Sequence, residues 1–324
     1  MRIIIYGAGG IGCVVGGNMA RTGNEVVLIG RPGQVKAINE HGLRLVTPAG
    51  TDILRIPAIT EPGQIDYKAD DVVFLCVKGQ NTEEAIRDLK AVTEDIPVFC
   101  FQNGVRNEHT VAQYFPRVYG VMLFFPTLYL TDGEVFAQNE PPGWFIIGQY
   151  PKGTDELLEA VATKLRTAGF LVKTVPEVMP YKWGKLMMNL SNAIRAITDT
   201  IGDAIEPITS ATQQEFRDVL SRAGIRWISL DEVRQEWPEI TKPLRGRLEF
   251  KRGGSTWQSL VRKQGAVETE FINGEIVKLA KKLGVQAPTN ETLLRISQEM
   301  AANREPPGKY TPAQLCKILG LNKK

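Results

Sequence analysis

Six residues near the N-terminus, Gly7-Ala8-Gly9-Gly10-Ile11-Gly12, fit the pattern G-x-G-x-x-G. They follow a short apolar run, Arg2–Tyr6, and open a segment of helical spacing. A strand before and a helix after are the context that dinucleotide binding requires of this pattern. The first glycine permits a tight turn, the second lets the backbone approach a pyrophosphate, and the third lets the helix pack on the strand. The helix N-terminus then turns N–H donors and a positive dipole end toward the phosphates. Gly7, Ala8, Gly9, Gly10, Ile11 and Gly12 are therefore the expected cofactor contacts; a glycine-rich turn without a ligand is the plainer alternative.

The end of the second strand bears on which dinucleotide. An NAD site usually has Asp or Glu there to accept from the ribose 2′-hydroxyl. Here the strand ends Leu28-Ile29-Gly30-Arg31, with no carboxylate. A guanidinium can clamp a 2′-phosphate, so Arg31 points to NADP(H); a solvated loop arginine is the alternative. Two more strand ends, Val77-Lys78-Gly79-Gln80 and Gln102-Asn103-Gly104, reach the same edge of the sheet. Ligands of open α/β sheets bind beyond the carboxyl ends of strands, so Lys78 and Asn103 are expected at cofactor or substrate. Asn-Gly is also an ordinary turn dipeptide.

Farther along, Lys185, Asn189 and Asn192 interrupt an otherwise apolar helical stretch, Tyr181–Asn192. At about 100° per residue they fall within about 60° of one another. Buried lysine and asparagine are costly unless partnered, so the stripe reads either as a site wall or as an exposed polar face. Glu268, Glu270 and Asn273 precede a helix with a basic face, Lys278, Lys281 and Lys282. Carboxylates near a helix start often serve only the dipole.

The elements that must hold these residues divide the chain. Arg2–Tyr6, Glu25–Ile29, Asp71–Val77 and Pro97–Phe101 are continuous apolar runs separated by helical segments, the mark of a parallel sheet covered on both faces. Residues 43–60 and 118–150 hold shorter alternating runs and are expected as antiparallel additions at the sheet edge. Helical periodicity dominates near 178–200, 208–232, 255–282 and 288–303. The expected architecture is α/β, a doubly wound sheet domain over residues 1–175 followed by an all-α domain over 176–324.

The 324 residues carry 39 Lys plus Arg against 36 Asp plus Glu, a net charge of +3 that does not indicate a nucleic-acid partner. No apolar run reaches the roughly 18–20 residues of a membrane span. Four cysteines without C-x-x-C spacing fit a reduced, cytoplasmic protein. With only His41 and His109, neither a histidine metal site nor a histidine general base is expected.

In this order, the glycine loop, the arginine after strand two, V-K-x-Q (Val77–Gln80), Q-N-G (Gln102–Gly104), W-x-K-L-x-x-N (Trp183–Asn189) and E-x-x-x-x-N-G (Glu268–Gly274) make the chain resemble the ketopantoate reductase (2-dehydropantoate 2-reductase) family from Met1 to about Met300. The resemblance implies NADPH-dependent reduction of 2-dehydropantoate to (R)-pantoate, on the route to pantothenate and coenzyme A. It implies a Rossmann-type NADP-binding domain and a helical substrate domain resembling the C-terminal part of 6-phosphogluconate dehydrogenase, with the site in the cleft between them. It places the catalytic lysine on Lys185 and the substrate-orienting glutamate, also near the cofactor, on Glu268 rather than Glu270. It assigns cofactor contacts to Arg31, Lys78 and Asn103 beside the glycine loop, and substrate contacts to Asn189, Asn192, Ser255 and Asn103. No metal is implied. Ala193, Trp257, Ser259 and Val267 depart from the family pattern, and they are expected to crowd the substrate side. A paralogous reductase of another 2-oxo acid or an imine is therefore kept as an alternative, and a non-catalytic NADP-binding redox sensor as a further one. Apolar helix faces of the second domain could form a homodimer.

Overall fold

The computed structural model describes residues 1–241 and 254–321. The chain opens with β1 (Ile3–Tyr6), α1 (Gly10–Arg21), β2 (Val26–Ile29) and α2 (Pro32–His41). The hairpin of β3 (Leu43–Thr47) and β4 (Gly50–Leu54) and a short β5 (Ala58–Ile59) follow. Next come β6 (Val72–Leu75), α3 (Thr82–Lys90), β7 (Val98–Cys100), α4 (Asn107–Ala112) and β8 (Val118–Phe124). Then come β9 (Thr127–Leu128), β10 (Glu134–Ala137), β11 (Trp144–Gln149), α5 (Glu156–Thr167) and β12 (Leu171–Thr174).

Eight of these strands form one sheet in the order β12-β11-β8-β7-β6-β1-β2-β5. From β5 to β8 every pairing is parallel, and β1 sits between β2 and β6 with Ile5 level with both Leu28 and Phe74. The chain thus winds outward in both directions from β1, the doubly wound arrangement the sequence indicates. Side chains alternate along each strand and so sort into two cores. Ile3, Ile5, Phe74, Phe99 and Phe101 join one cluster, while Ile4, Val73, Leu75, Val98 and Cys100 join the other. Both faces are covered, which is why the strands read as unbroken apolar runs.

The segments expected as edge additions behave differently. β8 is an inner strand parallel to β7, and only the β8–β11 pairing beside it is antiparallel. The strands β4-β3-β10-β9 form a separate four-stranded sheet, not an extension of the main one. Gly120 inside β8 breaks the apolar run in the sequence, and the structure needs it: a methyl there would lie 2.6 Å from Val178 Cγ1.

The remaining helices are α6 (Met179–Asn189), α7 (Ser191–Thr198), α8 (Glu206–Ala223), α9 (Leu230–Glu236), α10 (Ser255–Val261), α11 (Asn273–Lys282), α12 (Pro288–Ala302) and α13 (Pro312–Ile318). The expected helix over 208–232 stops at Gly224, which takes φ 64° as a left-handed cap. That over 255–282 is broken by left-handed Lys263 and Gly265 and resumes at Asn273. The helix α13, begun by a Thr311–Gln314 capping box, has no counterpart in the sequence reading.

The chain packs as two units. Residues 1–182 form the first, and residues 228–241 return to it; residues 183–227 and 254–321 belong to the second. In the first unit Ile228, Val233 and Ile240 pack with Met122, Trp144, Ile146, Val175, Val178 and Tyr181. In the second, Ala193, Ile194, Ile197, Leu260, Val267, Leu293, Ile296 and Met300 share a core. The Glu215 carboxylate on α8 accepts from the backbone N–H groups of Thr289 (2.7 Å) and Asn290 (2.9 Å), which caps the start of α12.

Candidate active site

The glycine loop of the first unit is built as its sequence demands. Gly7 takes φ 119°, and a methyl there would meet Val77 N at 2.5 Å, so the turn after β1 lies against the chain leaving β6. At Gly12 a methyl would run into the Gly7 carbonyl and stand 2.7 Å from Ile5 Cγ2, so α1 lies directly on β1. Gly9 differs: nothing lies within 4 Å of the position its side chain would take. Two glycines serve internal packing, and the middle one leaves room outside. Gly9 is also the N-cap of α1, with no side-chain cap on the first N–H groups. The Gly9 N–H itself donates to the Gly7 carbonyl (2.8 Å), so these features fit a pyrophosphate held by the backbone N–H groups of Gly10 and Ile11 at the start of α1. Ala8 is buried, its methyl 2.8 Å from where a methyl at Gly30 would sit.

Arg31, separated from β2 by Gly30 alone, is the exposed N-cap residue of α2, and its side chain makes no cap hydrogen bond. Behind it, buried Gln34 donates to Cys13 Sγ (3.3 Å) and accepts from Gly133 N (2.7 Å), fixing α2 against α1 and the small sheet. The small sheet also supplies two residues that the sequence reading passed over. A methyl at Gly10 would be 2.9 Å from Thr127 Oγ1 and 3.3 Å from Tyr129 Cβ, so this strand segment lies over the start of α1. Nothing in local sequence signals that approach, since it joins residues far apart in the chain.

Lys78 is half-buried at the start of a 3-10 turn, Gly79–Asn81, after β6. Asn103 is half-buried beyond β7, between buried Gln102 and Gly104, whose φ is 88°. A ring of hydrogen bonds surrounds this loop. Gln102 Nε2 donates to Thr82 Oγ1 (2.7 Å), Thr82 Oγ1 to Asn107 Oδ1 (2.9 Å), and Asn107 Nδ2 to the Asn103 carbonyl (2.9 Å). Lys182 Nζ donates to the Gln102 carbonyl (3.2 Å) and pairs with Glu108 Oε1. Neither Lys182 nor Glu108 stands out in the sequence.

The other candidates belong to the helical unit. Lys185 and Asn189 lie one turn apart on α6, Lys185 half-buried and Asn189 buried. Burial, with the nearby Arg195 guanidinium adding repulsion, pulls the Lys185 ammonium down to about 8. Leu190 between α6 and α7 keeps helical backbone angles, and its N–H bonds the Leu186 carbonyl (3.1 Å); Asn192 lies in the first turn of α7. A methyl at Gly254 would stand 2.8 Å from Asn192 Oδ1, so the start of α10 lies against α7 near Asn192. Ser255 Oγ is buried with no hydrogen-bond partner among the described residues. A 3-10 turn at Glu268–Phe271 packs on α10 and α12. In it Glu268 is buried and Glu270 exposed. Asn273 serves the framework, donating to Asn290 Oδ1 (3.0 Å) and the Leu190 carbonyl (3.3 Å).

The four departures from the family pattern fall at different places in the helical unit. Ala193 and Val267 sit in the core of the helical unit, and Trp257 packs against it. The Trp257 indole Nε1 donates to Asp199 Oδ1 (2.9 Å), and Ser259 Oγ donates to the Ser255 carbonyl (2.9 Å). On α10, position 257 points about 200° away from position 255, whereas position 259 lies one turn on, on the Ser255 side. His41 and His109 are both exposed. Among the described residues no group of three His, Cys, Asp or Glu could hold a metal ion, and no helix is long and apolar enough to cross a membrane.

Comparison with known proteins bears on both parts of the chain. The family described as ketopantoate reductase PanE/ApbA matches residues 3–152, and its C-terminal counterpart matches residues 177–301. A 2-dehydropantoate 2-reductase of Pyrococcus horikoshii is 29% identical over 303 residues, covering 90% of this chain and 94% of its own. One from Archaeoglobus fulgidus is 29% identical over 305 residues, covering 91% and 96%. The crystal structure of a PanE/ApbA family ketopantoate reductase from Ralstonia eutropha superposes with a TM-score of 0.79 at 28% identity, over 94% of this chain and 99% of that one. D-mandelate dehydrogenase in complex with NADH and anilino(oxo)acetate has the same fold, with a TM-score of 0.79 at 22% identity over 94% and 99%.

Proposed function

This chain belongs to the ketopantoate reductase family, and from that premise we propose that it is an NADPH-dependent reductase of a 2-oxo acid, with 2-dehydropantoate as substrate and (R)-pantoate as product. In this reading it serves the route to pantothenate and coenzyme A. A bound NADPH supplies the hydride that reduces the C2 ketone. The glycine loop from Gly7 to Gly12 holds the pyrophosphate, Arg31 takes the 2′-phosphate, and Lys78 and Asn103 line the approach from the strand ends.

The observation that carries the reading is Lys185, whose ammonium is pulled to about 8 beside Arg195. Negative charge develops on the carbonyl oxygen as the ketone is reduced. A cationic donor poised near the working pH both stabilises that charge and gives up its proton. Glu268, buried and acceptor-rich when ionised, orients a hydroxyl of the substrate. Asn189, Asn192 and Ser255 supply orienting hydrogen bonds, and the unpartnered Ser255 Oγ suits a substrate oxygen.

The test is a panel of 2-oxo acids offered with NADPH and with NADH, followed by loss of reduced-nicotinamide absorbance. 2-Dehydropantoate with NADPH is expected to give the highest kcat/KM. Equal turnover of simple branched 2-oxo acids rejects the substrate, and a preference for NADH rejects the cofactor.

A further inference from the structure

The ion pair between Lys182 and Glu108 is out of place as a stability device. Its side chains are 2% and 0% exposed, and Glu108 Oε2 has no hydrogen-bond partner among the described residues. A buried pair recovers its desolvation cost only when the remaining polar atoms are also satisfied, and an apolar pair of equal volume is often as stable. What an apolar pair cannot do is donate. Lys182 Nζ also reaches the Gln102 carbonyl at 3.2 Å, and this bond enters the loop that carries Asn103.

A peptide group is planar, with its carbonyl and N–H pointing in opposite directions. Fixing the Gln102 carbonyl on Lys182 therefore fixes the Asn103 N–H away from it. The next peptide plane is fixed too, because the Asn103 carbonyl accepts from Asn107 Nδ2 at 2.9 Å. With both flanking planes held, the backbone angles of Asn103 are set, and the direction of its side chain with them. The Gln102 side chain closes the ring through Thr82, at the start of α3, and Asn107, at the start of α4.

We infer that Lys182, held by Glu108, is a positioning residue that fixes Asn103 for cofactor and substrate. Its charge is retained because a neutral apolar side chain could not hold that carbonyl. The inference rests on the functional reading of Asn103 above.

The test is a mutant cycle on the whole enzyme. Lys182→Met with Glu108→Met removes both charges together and so avoids stranding either one. This pair is expected to keep the wild-type Tm while kcat/KM for the oxo acid falls at least tenfold. Asn103→Ala should lose activity alone, and adding it to the Met pair should cost little more, because both act through one side chain. If the Met pair does not fold, Lys182→Arg keeps the ion pair but shifts the donor, and it enters the same cycle with the same expectation of non-additivity. Additive losses, or activity within twofold of wild type in a folded Met pair, overturn the positioning role. Undiminished activity of Asn103→Ala overturns the reading of Asn103 and this inference with it.

Discussion

At the scale of single residues, the chemistry turns on where protons and charges rest. The Lys185 ammonium is pulled to about 8, first by burial and then by Arg195. If it donates the proton, it must be charged before the reaction, so kcat/KM should fall as pH rises through about 8, and neither exposed histidine should contribute. A pH–rate profile checks this, and a plateau from 7 to about 10 would speak against Lys185. Lys185→Ala should lower kcat by about 10²–10⁴-fold while the Kd for NADPH, measured by nucleotide fluorescence, stays near wild type. Arg31→Ala should weaken NADPH by about 10–100-fold and leave NADH unchanged, the size of a charge-assisted contact to one phosphate. Helical spacing marked Lys185 in the sequence, whereas Glu268 was marked only by the family resemblance. The Arg195 field was not visible, because helix periodicity marks a shared face and does not give the distance between charges on two successive helices, α6 and α7.

Elements explain why the phosphate loop tolerates some changes and not others. Gly9 faces open space and has extended backbone, φ −96°, so alanine fits there without strain. Gly9→Ala should keep its Tm and lose NADPH affinity, because the new methyl occupies the space left for the pyrophosphate. Gly12→Ala should lose both, because α1 would have to lift off Ile5 and Gly7. Thermal unfolding with and without NADPH separates the two cases. The strands around this loop were legible because each is buried on both faces and reads as one apolar run. β8 was misplaced because Gly120 breaks its pattern. The small sheet was read as an edge because alternation reports exposure on one face and not the partner strand. Thr127 and Tyr129, brought over Gly10 by that sheet, lay beyond sequence reasoning for the same reason.

For the whole molecule, the decisive feature is the return of residues 228–241 to the sheet unit. The pattern of α9 marks a helix and gives no sign of which core receives it. Burying Ile228, Val233 and Ile240 at about 1.5–3 kcal/mol each is comparable to the 5–15 kcal/mol that holds a typical protein folded. A fragment ending at Lys182 should therefore aggregate or unfold without cooperativity. The same fragment with residues 228–241 joined by a flexible linker should recover a cooperative transition, as circular dichroism on heating would show. The order of synthesis gives this feature a further meaning. When residue 182 leaves the ribosome, Trp144, Ile146 and Tyr181 still lack their cover, and residues 183–227 must emerge before it arrives. The sheet unit therefore cannot complete this core until the later segment has been made, and the faces of Trp144 and Tyr181 wait uncovered for it.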